Sequence, residues 1–145
     1  MIQPKHSNTE IRKLIEQRFT MLDEAIISRF SYIGETFVKN ARENGTYNDI
    51  TGNLRSSIGY IVLKNGKQKA GGGFEKYSNG SKGQTSGKKF LKEISVKFPS
   101  GYVLIVVAGM QYAAAVESRG KDVLTGSSIV AKQELKRAFQ RFKKL

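Results

Sequence analysis

The stretch DITGNLRSSIGY, residues 49–60, marks the point at which the chain changes from helix to sheet. A long segment with helical periodicity lies before it, and strand-like alternation of apolar residues follows it. Within the stretch, the Thr51 hydroxyl can accept a hydrogen bond from a nearby backbone N–H and start a short turn from Gly52 to Ser57. Leu54 would anchor that turn in the core. The stretch therefore predicts a structural joint between two halves of one domain.

The segment before the joint predicts one long helix over residues 8–43. Ser7 and Glu10 have the spacing of a capping box at its start, and Asn44-Gly45 predicts a left-handed cap at its end. Apolar residues recur in steps of three and four from Ile11 to Ala41, which places them on one stripe. At about 1.5 Å per residue, the helix would be about 54 Å long. A small domain does not cover that length, so part of the stripe should contact another part of the chain or another subunit.

After the joint, the sequence predicts three antiparallel strands near residues 58–63, 89–98 and 102–109. The last of these is apolar on both faces, so it should be central or covered on both sides. The first strand alternates between two faces, with Ile58, Tyr60 and Val62 on one and Ile61 and Leu63 on the other.

Residues 65–88 contain seven glycines and few apolar side chains, which predicts a flexible Gly/Lys-rich excursion between strands. Phe74 and Tyr77 are its only large aromatic residues, and they could stack on nucleic-acid bases. Its lysines, with two neighbours, are candidates to face DNA or an acidic partner; the alternative is a solvated loop. These candidates are Lys64, Lys67, Lys69, Lys76, Lys82, Lys88 and Lys89.

The chain should close with a short helical turn at residues 111–118 and a C-terminal helix over residues 125–144. The complete order predicts an α+β fold: a long N-terminal helix, a three-stranded antiparallel sheet with the excursion, and a C-terminal helix. We expect one domain over residues 1–145, whose β-rich part spans residues 51–110.

The net charge of +13 is unevenly placed. Residues 1–50 hold seven basic and seven acidic side chains, whereas residues 51–100 hold ten basic and only two acidic ones. Such a lopsided field indicates a polyanion or an acidic partner, although the same charge also serves solubility.

The chain has one histidine and no cysteine, which leaves little material for a catalytic triad or a zinc site. We therefore expect no enzyme activity, no metal and no cofactor. The remaining catalytic alternative is a small metal-dependent nuclease in which Asp49, Glu117 and Asp122 hold a magnesium ion.

Two motifs resemble a family of small proteins of tailed phages, the minor tail components also called tail-completion or head-tail joining (neck) proteins. TGNLRSSI, residues 51–58, is similar to the family's T-G-x-L-R-x-S-I. A second segment places Tyr112, Ala113, Val116 and Glu117 on the family's Y-A-x-x-V-E-x-G, with its glycine arriving later at Gly120. The residues 121–128, KDVLTGSS, depart from the family's usual Pro- and Phe-bearing stretch, which leaves another branch of the neck proteins or another ring position open.

The resemblance implies a virion protein at the neck or tail end, assembled in the host cytoplasm into a ring around the DNA path. Its partners would be copies of itself and other neck or tail proteins, with non-specific contact to packaged DNA and no membrane; the free protein could be a monomer. The rival interpretation is a basic, sequence-independent nucleic-acid-binding protein that acts alone. Arg55 and Glu117, the charged members of the two motifs, could form an ion pair; otherwise each is exposed.

Overall fold

The computed structural model describes residues 7–110, 113, 117 and 122–143. It confirms the α+β class, with a long N-terminal helix, a three-stranded antiparallel sheet and a C-terminal helix. In chain order the elements are α1 (Asn8–Glu43), α2 (Asn53–Ser56), β1 (Ile58–Lys64), β2 (Lys67–Gly73), α3 (Ser81–Ser95), β3 (Tyr102–Ala108) and α4 (Thr125–Phe142). Within these described ranges, no helix is long and apolar enough to cross a membrane.

Helix α1 begins as its sequence predicts. Ser7 accepts a hydrogen bond from the Glu10 N–H at 3.2 Å, and the Glu10 carboxylate accepts one from the Ser7 N–H, which completes the capping box. The predicted left-handed end is wrong, because Asn44 has φ −103° and Gly45 is not among the residues with positive φ. Gly45 serves close packing instead, since a Cβ there would lie 2.5 Å from the Tyr47 ring.

The sheet has the order β2-β1-β3, so β1 is the central strand. The predicted alternation of β1 is confirmed. Ile58, Tyr60 and Val62 pack with α1, and Ile61 and Leu63 pack on the opposite face with α3. Strand β3 is at an edge and is covered on both faces by the same two helices.

Helix α4 runs back along the second half of α1. Ser127 and Asn40 line one groove near its start, and the Phe139 and Phe30 rings meet edge to face at 6.2 Å nearer its end. Ala131 and Ala138 of α4 are buried, and Ala131 belongs to the same core cluster as Phe30 of α1. Among the described residues, helix α1 is therefore covered from Asp23 onward, whereas its residues up to Leu22 are exposed.

The interpretation of residues 65–98 is wrong in two respects. Residues 65–88 are not an irregular excursion, because they supply β2 and the first half of α3. Residues 89–98 are not a strand, because the second half of α3 occupies most of them. The apolar alternation that suggested a strand is largely solvent-exposed, with Val96 80% exposed and Phe98 40% exposed.

Glycines explain how α3 packs on the sheet. Gly83, Gly87 and Leu91 are spaced by four residues and form its buried stripe. A Cβ at Gly87 would lie 2.5 Å from the Ser57 carbonyl oxygen, and one at Gly83 would lie 2.0 Å from the Asn53 carbonyl oxygen. The helix thus rests directly on the backbone of the joint.

Candidate functional site

The joint is a network of helix caps. The Asp49 carboxylate accepts hydrogen bonds from the backbone N–H groups of Leu54 and Arg55, at 3.4 and 2.8 Å, and the Thr51 hydroxyl accepts one from Asn53 at 3.3 Å. Leu54 is only 2% exposed. Gly52 has φ +78°, and a Cβ there would lie 1.8 Å from the Tyr77 carbonyl oxygen, so the position requires glycine.

Arg55 connects this joint to the end of α1. Its Nε donates to the Arg42 carbonyl at 3.0 Å, and a terminal nitrogen donates to the carbonyls of Gly45 and Tyr47 at 3.3 and 3.4 Å. The guanidinium also lies 4.5 Å from the Tyr47 ring centroid and 5.3 Å from that of Tyr77. Arg55 is therefore a largely buried structural group.

Glu117 caps the last helix. Its carboxylate accepts hydrogen bonds from the N–H groups of Val123, Leu124 and Thr125 and from the Thr125 hydroxyl. Desolvation alone would raise the pKa of Glu117, but the bonds from Leu124, Thr125 and Val123 outweigh it and hold that pKa below its ordinary value. The proposed ion pair with Arg55 is wrong, because Arg55 pairs instead with Asp49, at 3.9 Å.

The second motif is only partly covered by the structure. Ala113 is buried beside Leu54, Tyr47 and Val123. Tyr112, Val116 and Gly120 lie outside the described residues. The described members of both motifs thus fix helix ends and anchor the joint in the core.

In the structure, each of the three carboxylates of the nuclease alternative accepts hydrogen bonds at a different place in the chain. Asp49 caps α2, Glu117 caps α4, and the Asp122 carboxylate accepts a hydrogen bond from the Gly126 N–H at 3.0 Å. Across residues 7–110, 113, 117 and 122–143, no group of acidic and histidine side chains could hold a metal ion. The nuclease interpretation therefore has no site in this part of the chain.

Three of the seven candidate lysines lie on α3, and the other four lie on β1, on β2 and in the loop after β2. Lys64 lies on the α1 face and forms an ion pair with Asp23 of α1, whose carboxylate also accepts a hydrogen bond from Tyr102. These bonds, from Lys64 first and Tyr102 second, lower the pKa of Asp23, and Lys69 is near enough to add to the effect. Lys67 lies opposite Lys64 in the β-ladder, and Lys76 is exposed in the loop after β2.

Lys82, Lys88 and Lys89 lie on α3, on the other side of the sheet, together with Lys92, which the sequence reasoning above did not single out. All four are exposed, and none of them forms an ion pair within the described residues. We call these four residues the α3 lysine face. The spacing of the four lysines would have predicted this face if residues 81–95 had been recognised as a helix.

The aromatic pair of the predicted excursion is not a stacking platform. Phe74 is 7% exposed, because its ring lies under Gly59 and Gly87. Tyr77 is 46% exposed but has one ring face against Arg55. Base stacking by the pair would require Phe74 to leave the core.

The part of α1 up to Leu22 is left largely uncovered by the other described residues. Every residue from Asn8 to Leu22 is exposed, which corresponds to about 22 Å of helix. Its apolar residues form one broad strip that continues from the α1–α4 contact, and we call it the α1 apolar strip. The strip consists of Ile11, Leu14, Ile15, Phe19, Met21 and Leu22, of which Phe19 and Met21 are each 67% exposed.

An open groove of about 640 Å³ lies along this strip, and Phe142 of α4 also lines it. Arg18 is the one charged residue that lines it. The strip is therefore a long, nearly uncharged surface that the described part of the chain leaves uncovered.

Comparisons of the chain with protein-family models, with curated proteins and with solved structures give no match.

Proposed function

We propose that this chain is a non-enzymatic structural protein of a tailed-phage virion, a tail-completion or head-tail joining component that assembles into a ring around the DNA path. The resemblance of its two motifs to that family supports the proposal. Their placement agrees with a structural role, since Thr51, Arg55 and Glu117 bond to helix ends and Leu54 is buried in the core.

The observation that carries the proposal is the α1 apolar strip. Burial of one large apolar side chain contributes about 1.5–3 kcal/mol, so six such residues favour association strongly. Monomeric proteins rarely leave a large contiguous apolar patch exposed. Head-to-tail contacts that close into a ring would cover the strip of each subunit with its neighbour.

Purified particles of the phage that carries this gene test the proposal directly. Mass spectrometry of the particles should find the chain in a few copies per virion. A variant with Ile15→Asp and Phe19→Asp should give DNA-filled heads without attached tails. A matched control, Gln17→Asp with Thr20→Asp, carries the same added charge away from the strip and should give normal particles.

A specific observation also favours the rival function, a sequence-independent nucleic-acid-binding protein that acts alone. The α3 lysine face places on one helix four cations that form no ion pair with any described residue. This rival predicts that the chain is absent from purified particles. It also predicts that the charged variants of the α1 apolar strip retain full function.

A further inference from the structure

The α3 lysine face is a continuous basic surface rather than a scatter of charges. Lys82 and Lys92 are ten residues apart, so the face extends about 15 Å along the helix axis. Glu93 is the one acidic residue of α3. Duplex DNA carries one negative charge for about each 1.7 Å of its axis, so a surface of this length meets several phosphates at once.

The helix is held rigidly against the joint, which keeps this surface in place. Gly83 N–H donates to the Asn53 side-chain oxygen at 3.0 Å, and Gln84 donates to the Phe74 carbonyl at 2.8 Å. A Cβ at Gly109 would lie 2.3 Å from the Gly87 Cα, which shows how closely the backbones approach. The lysines therefore project from a fixed platform rather than from a mobile loop.

A shallow groove beside the helix extends the same surface. It has a volume of about 360 Å³ and lies between β2 and α3, where Lys88, Lys92 and Gln68 line it. Gly71, which also lines the groove, is exposed and has no side chain, so a nucleic-acid strand can approach the protein backbone closely there. The ammonium groups of Lys88 and Lys92 and the Gln68 amide can donate to phosphate oxygens, while the rest of the lining is glycine and apolar or aromatic side chains.

The composition of the face favours a nucleic-acid backbone over an acidic protein. Protein interfaces usually centre on buried apolar or aromatic anchors. Between these lysines the helix instead presents Ser81 and Thr85, and a lysine ammonium binds phosphate as a point charge without a fixed geometry. The four members of the face are all lysines, with no Arg, Asn or Gln among them.

We propose that the α3 lysine face binds the phosphate backbone of double-stranded nucleic acid without reading its sequence. The inference deepens the proposed function and rests on it for the biological role, since this face would be the one turned toward the DNA path. Binding itself requires no ring and is measurable on the free protein. Failure of ring assembly and failure of DNA binding by the free protein are therefore distinguishable results.

The test compares two variants with the same reduction of charge. The first carries Lys82→Gln, Lys88→Gln, Lys89→Gln and Lys92→Gln; the second carries the exposed lysines elsewhere as Lys67→Gln, Lys69→Gln, Lys132→Gln and Lys136→Gln. Fluorescence anisotropy with a short random-sequence duplex gives the Kd over a series of salt concentrations. Circular dichroism checks that both variants fold.

The α3 variant should bind at least about tenfold more weakly. Its salt dependence should fall by about one unit of slope for each phosphate that the protein no longer neutralises. The control variant should be weakened much less. If the fourfold α3 variant does not fold, the pairs Lys82/Lys89 and Lys88/Lys92 are tested separately with the same expectation.

Three results would overturn the inference. Equal weakening in both variants would mean diffuse attraction by net charge. Absence of binding by the unmodified protein at low salt would mean that the face does not hold nucleic acid. Competition by polyglutamate as strong as that by duplex DNA, at equal charge concentration, would assign the face to an acidic protein.

Discussion

Gly34 of α1 lies directly against the ring of Tyr60 in β1: a Cβ at Gly34 would be 2.4 Å from Cδ2 of Tyr60. The absence of a side chain at Gly34 lets the helix approach the central strand closely. The Tyr60 hydroxyl then reaches Glu35 of the next helical position, to which it donates a hydrogen bond at 2.9 Å. Burial first, and this bond second, raise the pKa of Tyr60 to about 12.

Gly34→Ala should therefore destabilise the protein, although alanine usually stabilises a helix relative to glycine by about 1 kcal/mol. Overpacking against the Tyr60 ring should dominate and lower the free energy of unfolding by about 1–3 kcal/mol. Urea denaturation measures the change. Ser28→Ala, at an exposed position of the same helix, is the control and should be nearly neutral; equal stability of the two variants would refute the packing argument.

Arg55→Lys should weaken the joint even though it keeps the charge. Lysine cannot reproduce the separate hydrogen bonds that the Arg55 guanidinium makes to the Arg42, Gly45 and Tyr47 carbonyls. Because the side chain is only 14% exposed, we expect the free energy of unfolding to fall by about 2 kcal/mol. Arg12→Lys on exposed α1 should change it little, and the same small change in both would show that Arg55 is not structural.

Glu117→Gln should destabilise the protein at neutral pH by about 1 kcal/mol, the usual effect of weakening a helix cap. Because the folded-state pKa of Glu117 is lowered, its ionised form contributes stability above the unfolded-state pKa of about 4.5. That contribution is lost as the pH falls through the lower folded-state pKa.

The stability gap between the unmodified protein and Glu117→Gln should therefore shrink from pH 7 to pH 3. Denaturant titrations at both pH values measure it. Glu93→Gln, an exposed substitution on α3, should show no such closing gap. A gap that stays constant with pH would contradict capping by the carboxylate.

Local patterns in the sequence were sufficient to predict the start of α1 and the two faces of β1. The capping box at Ser7 and the repeat of apolar residues fix where α1 begins and which residues share a face. Alternation in residues 58–63 likewise fixes both faces of β1. These signals depend on neighbours in the chain, so they are readable without tertiary structure.

Local sequence patterns did not predict helix α3. Gly83 and Gly87 each disfavour a helix by about 1 kcal/mol, and they occur there because the backbone of the joint lies where side chains would be. Only tertiary packing supplies that reason. Unless residues 81–95 are known to form a helix, the sequence does not show that these four lysines share one face.

Strand β2 did have a local signal. Asn65 and Gly66 have φ +50° and +79°, the two positive values of a two-residue hairpin turn, and Asn-Gly is the sequence typical of it. The strand beyond the turn is glycine- and lysine-rich, which concealed it.

The role of Asp49 as a cap was missed because its partners, Leu54 and Arg55, are five and six residues away.

Cross-linking from the α1 apolar strip tests the central claim most directly. A photoreactive amino acid at Ile15, in particles made by the phage that carries this gene, should give a ladder of covalently joined copies of this chain that ends at the ring size. The same group at Thr20, on the opposite side of the helix, should give none. Absence of joined copies from Ile15, or equal ladders from both positions, would contradict assembly through this strip.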